Sequence, residues 1–171
     1  MKHSTELEHA LRNLRQLTGI TLDVKADTEE EEIQALTQIR CLCNAYQEKY
    51  NKTHFLQGLV TGTIPIYDIL ERAPRLHINL EERRILFLLK TKGSLDETIP
   101  EILKNLFPPQ THSYLVPLTE SSMVVLRPVK DSETENDFLQ IARTIVDTLN
   151  MEALSFIQVA YSGCFHSLSE C

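Results

Sequence analysis

Few residues in this chain are of types and spacings that could do chemistry. Cys164, His166 and Cys171 put three metal-binding side chains within eight residues. A zinc site usually draws four Cys or His ligands from two short, regular pairs. Here the intervals are irregular and the spacing supplies no fourth ligand, so these residues read as structural and no metal is assigned. Cys41 and Cys43 stand two apart in a helical pattern and face different directions, which excludes a local chelate and a Cys-x-x-Cys redox pair. Four carboxylates, Asp131, Glu133, Glu135 and Asp137, cluster where a helix should begin, and negative charge is favoured there by the helix dipole. The run Glu29 to Glu32 has the same reading. His77 falls in a connector. No Ser/His/Asp or Cys/His arrangement follows from spacing, so no catalytic, cofactor-binding or metal residue is assigned and the chain is expected not to be an enzyme.

Composition narrows the partners. The 171 residues carry a formal charge of -7. Residues 1–80 have nine basic against eleven acidic residues and residues 81–171 have eight against thirteen, so neither half is basic. Nucleic-acid affinity rests largely on Lys and Arg neutralising phosphates, which argues against DNA or RNA as a partner of this stretch itself. No apolar run approaches the roughly 20 residues that cross a bilayer, and the polar N-terminus lacks a signal-peptide core. A cytoplasmic chain with no membrane contact is expected. Four cysteines are too few for a disulfide framework at this length.

The elements that must position everything else are organised around Arg83 to Lys90, in which Ile85 to Leu89 are apolar without interruption. The short run and the turn signal Lys92-Gly93-Ser94 behind it predict a central strand apolar on both faces. Upstream, residues 4–17 have helical spacing ending at Gly19, and Ile20 to Val24 alternates as either a short strand or extended coil. An Asp27/Glu30 capping pattern opens a long helix striped by Leu36, Ile39, Cys43, Tyr46 and Tyr50 and widened by Ile33 and Leu42. Thr63 and Pro65 start another helix, which Pro74 ends or kinks.

From residue 83 the pattern is regular. Strand 84–90 leads to a helix bearing Leu95, Ile99, Ile102, Leu103, Leu106 and Phe107, whose start is ambiguous between two capping boxes at Ser94 and Thr98. Then comes a hairpin of Ser113 to Leu118 and Met123 to Arg127, with Pro117 arguing for a sheet edge. A Ser132/Glu135 cap opens a helix through Phe138, Ile141, Ile145 and Leu149, and Leu154 to Tyr161 is the last strand. The order βαββαβ predicts an α+β, ferredoxin-like, four-stranded antiparallel sheet preceded by an N-terminal helical region. The expected division is residues 1–62 as the helical region, 63–80 as connecting helix and linker, and 81–171 as the α/β domain. Two helices cover one sheet face only. Leu86 and Leu88 point to the other, where exposure would forgo about 1.5–3 kcal/mol per side chain, so the N-terminal helices, the same region of a second chain, or further sequence should cover them. The candidate dimer or interdomain contacts are therefore Leu36, Ile39, Cys43, Tyr46, Leu86 and Leu88.

The run Asp68 to Ile78 followed by Arg84 to Leu89, and the closing stretch Tyr161 to Glu170, resemble the GGDEF-like domain of PucR/CdaR-type bacterial transcriptional regulators. The resemblance covers about residues 55–171 and its motifs are diffuse. It implies a degenerate cyclase-like domain between an N-terminal sensory region and a C-terminal helix-turn-helix. The chain stops at Cys171, where the next helix would begin, so DNA contact is expected only through a domain absent here. Active cyclases of this fold hold Mg²⁺ and nucleotide phosphates at a Gly-Gly-Asp/Glu-Glu-Phe hairpin. This chain has Thr119-Glu120-Ser121-Ser122 there, without glycines, and its first strand has no acidic ligand. The expectation is a non-catalytic regulatory and homodimerisation module with no cofactor. The alternative is a receptor without turnover, binding a metabolite or nucleotide effector between the N-terminal helices and the sheet.

Overall fold

The computed structural model describes residues 5–170 and divides into two units, Met1–His54 and Phe55–Cys171. In the first, α1 (Thr5–Thr18) ends at Gly19, whose φ of +73° glycine adopts without a side-chain penalty. The helix α2 (Glu29–Val60) follows, and its last six residues belong to the second unit. Its cap is one residue further on than the Asp27/Glu30 pattern suggested. Thr28 Oγ1 accepts from Glu31 N at 3.2 Å, while Glu31 Oε2 accepts from Asp27 N at 2.8 Å and Thr28 N at 3.2 Å. A capping box joins the N-cap to the third helical residue, so a helix starting at Glu29 must use Thr28 and Glu31. Leu7, Leu14, Ile39 and Cys43 form this unit's buried cluster, with Leu11, Leu17 and Leu36 against it. Residues 20–24 form no strand: they pair with none of the described strands and remain coil.

The second unit contains α3 (Ile66–Arg75), β1 (Arg84–Thr91), α4 (Thr98–Leu106), β2 (Tyr114–Thr119), β3 (Ser122–Pro128), α5 (Glu135–Glu152) and β4 (Ile157–Tyr161). The four strands form one antiparallel sheet in the order β2-β3-β1-β4. The fold is α+β with the ferredoxin-like strand order, and the apolar run Ile85–Leu89 lies in a central strand, as its two-sided hydrophobicity requires. Pro117 lies on edge strand β2, where its missing N–H leaves no ladder bond unmade.

Three local boundaries differ from the sequence reading. Asp96 Oδ1 accepts from Thr98 N and Ile99 N at 3.1 and 3.3 Å and starts α4, so neither capping box proposed for it is used. Thr134, not Ser132, caps α5: it forms a reciprocal box with Asp137, whose Oδ2 accepts from Thr134 N at 2.7 Å. Strand β4 begins at Ile157 instead of Leu154, because Leu154 adopts φ +50°, incompatible with a strand, and is 89% exposed.

Each sheet face has its own core. Ile85, Phe87, Leu89, Met123, Val125 and Ile157 pack on the inner faces of α4 and α5. On the opposite face Val116, Val124 and Leu126 meet Phe55, Leu56 and Leu59 from the end of α2, Ile69 and Ala73 from α3, then Ile78 and Leu168. That second layer is the cover the sheet needed. Leu86 is half-buried beneath it, whereas Leu88 lies beyond its reach at 37% exposure.

Candidate functional site

The β2–β3 hairpin is closed by its own chain. Leu95 N donates to Glu120 O at 2.6 Å and Thr91 N to Ser121 O at 2.9 Å, so the segment leaving β1 is bound against the hairpin tip. Thr91 Oγ1 donates to Gly93 O at 2.5 Å, and Thr119 and Ser122 hydroxyls bond each other at 2.7 Å. The tip therefore presents hydroxyls and one exposed carboxylate, Glu120, while two backbone carbonyls are already occupied. On β1 the inward positions Ile85, Phe87 and Leu89 are fully buried hydrocarbon. Glu120 is the one carboxylate among the hairpin residues Thr119 to Ser122.

At the start of β1 lies a polar cluster that sequence patterning did not single out. Arg84 is 1% exposed, pairs with Glu82, donates to His112 O at 3.1 Å and stacks on Tyr114. Its Nε is buried without a hydrogen-bond partner. Burial pushes the Tyr114 hydroxyl above its ordinary pKa, and the Arg84 cation only partly offsets this. The available signal was Glu82 two residues before Arg84, a spacing that places both side chains on one side of an extended segment.

The acidic group at the start of α5 divides by role. Glu133 binds Arg127 through two hydrogen bonds of 2.5 and 3.0 Å, and this partner, opposed by partial burial, lowers its pKa. The Thr134 backbone and hydroxyl bonds lower that of Asp137. Asp131 lies 3.2 Å from Arg83. These contacts cap the helix and tie it to β3.

Of the six residues proposed as contacts, Leu36, Ile39, Cys43 and Tyr46 lie on α2 in the first unit. Ile39 and Cys43 are buried and Leu36 half-buried within the α1–α2 cluster, while Tyr46, further along α2, is 43% exposed. Leu86 and Leu88 belong to the sheet of the second unit. Cys41 is exposed and Cys43 buried, and His77 is exposed with φ +54°. Cys171 lies outside the described residues, and among those residues no group of three His, Cys, Asp or Glu side chains could hold a metal ion. An open groove of 520 Å³ runs between α1 and α2, lined by His9, Asn13, Arg40, Asn44 and Gln47 among others. Among the described residues no helix is long and apolar enough to cross a membrane.

A family model described as a GGDEF-like domain matches residues 61–171. The chain belongs to the GGDEF-like domain family. A search of curated proteins and a search of solved structures each gave no match. The matched GGDEF-like region begins one residue after α2 ends, yet Phe55, Leu56 and Leu59 complete its second core. The GGDEF-like domain here is thus stabilised from outside its own family boundary.

Proposed function

We propose that this GGDEF-like chain is a non-catalytic regulatory module of a bacterial PucR/CdaR-type transcriptional regulator, acting in the cytoplasm as a homodimer and contacting DNA through a separate helix-turn-helix domain. The closed hairpin carries the reading. A nucleoside triphosphate needs donors and carboxylate-bound metal, whereas here the hairpin residues Thr119 to Ser122 carry one carboxylate, Glu120, and the inward positions of β1 supply hydrocarbon. The homodimer half draws on Leu42, Tyr46 and Tyr50, apolar positions of α2 that stay exposed at 53, 43 and 62%. Incubation of the full chain with GTP or ATP and Mg²⁺ tests the non-catalytic half. No product is expected, and multiple turnovers per chain would overturn it. Light scattering at high micromolar concentration tests the other half, and a strict monomer would remove it.

The α1–α2 groove favours a second reading, a metabolite receptor without turnover. Its carboxamides, imidazole and guanidinium could recognise a small polar or anionic compound. A ligand that binds only the folded chain raises its melting temperature. A set of sugar acids, purines and nucleotides that leaves the temperature unmoved would count against it.

A further inference from the structure

The two edges of the sheet are not equivalent. On β2, Pro117 and a register break between Pro117 and Thr119 interrupt the ladder, and Gln57 Nε2 donates to Pro117 O at 2.6 Å. Such features keep another strand from adding. Strand β4 has neither a proline nor a break, and among the described residues no strand lies on its outer side. Ser162 N donates to Leu86 O at 2.9 Å, which makes residues 86 and 162 a hydrogen-bonded pair. By alternation Gln158 and Ala160 bond to β1, so Ile157, Val159 and Tyr161 direct their N–H and C=O groups outward.

Helix α5 forms a lip along the same edge. Leu139, Arg143, Val146 and Asp147 line a shallow groove with Val159 and Tyr161. Leu139 is 36% exposed. Arg143 and Asp147 stand one turn apart, both exposed, and neither has an ion-pair partner among the described residues.

We infer that this edge is a two-fold interface with a second copy of the chain, in which β4 pairs antiparallel with β4 about Val159 and α5 lies antiparallel to α5. The inference rests on the homodimer reading and names its surface. A two-fold axis at Val159 sets Ile157 of one copy opposite Tyr161 of the other, so the outward backbone groups pair in register. The same axis sets Arg143 of each copy against Asp147 of the other and turns two unpaired charges per copy into two ion pairs across the interface. A parallel arrangement would instead oppose like charges. This self-complementarity singles out a second copy over an unrelated strand.

Sedimentation of the full chain tests it. The unaltered chain should dimerise at about 100 µM, and Arg143→Asp and Asp147→Arg should each weaken the dimer at least tenfold. An equimolar mixture of the two variants, and the double exchange in one chain, should recover it, since both arrangements restore opposite charges. A dimer that neither reversal weakens, or a weakened one that mixing fails to rescue, overturns this interface and leaves the homodimer reading intact. An unaltered chain that stays monomeric overturns both.

Discussion

The guanidinium carbon of Arg84 lies 4.7 Å from the centroid of the Tyr114 ring, so a buried cation at the head of β1 rests on an aromatic face at the start of β2. Glu82 supplies its countercharge. Glu82→Ala should therefore cost about 1–3 kcal/mol, because it strands a buried charge. The double substitution Glu82→Ala with Arg84→Met should recover part of that loss. Urea denaturation of the unaltered chain and the two variants measures it, and a double variant less stable than Glu82→Ala alone would show that the cation stabilises the fold without its partner.

The Tyr114 shift gives an alkaline expectation. Its folded pKa lies above the unfolded one, so its contribution is complete below about pH 10 and is lost as pH rises through the folded value. Ultraviolet titration should show one late-ionising tyrosine that Tyr114→Phe removes.

Glu133 and Asp137 work in the opposite direction. Both folded pKa values are depressed, Glu133 chiefly by the Arg127 hydrogen bonds and Asp137 chiefly by the Thr134 backbone N–H. Their stabilisation is present above the ordinary carboxylate range, about pH 4, and is lost as pH falls through the lowered values. Glu133→Gln should lower stability at neutral pH and flatten the acid limb. An unchanged acid limb in denaturation from pH 7 to 2 would refute this.

The second core should respond as a true interior. Phe55 is fully buried against the sheet under Arg72, 5.2 Å from its ring centroid. Phe55→Ala should cost about 3–5 kcal/mol. Leu88→Ala, at a position 37% exposed, should cost below about 1 kcal/mol, since surface changes of this kind are small. Equal costs in chemical denaturation would mean that the layer of α2 and α3 does not cover the sheet as described.

Two thiols two residues apart should differ in reactivity. Cys41 is exposed and Cys43 buried under α1. Brief alkylation of the native chain followed by peptide mass mapping should modify Cys41 and spare Cys43, with the difference vanishing in denaturant.

What the sequence determined by itself was local and periodic. The apolar run Ile85–Leu89 required a strand buried on both faces, Pro117 required an edge, and the three-and-four spacing through Phe138, Ile145 and Leu149 required a helix on that sheet. These are one-dimensional patterns with a single packing solution in a βαββαβ order. Cap positions lay within two residues of those expected but shifted, because Thr28 and Thr134 compete with neighbouring Asp and Ser residues and only the helix's first hydrogen bonds choose between them. Tertiary structure alone decided three things: that the last turns of α2 cross into the second unit's core, that Leu95 and Thr91 seal the hairpin, and that Arg84 is buried on Tyr114. Each depends on contacts between segments far apart in sequence, where neither spacing nor composition records which side chains will meet.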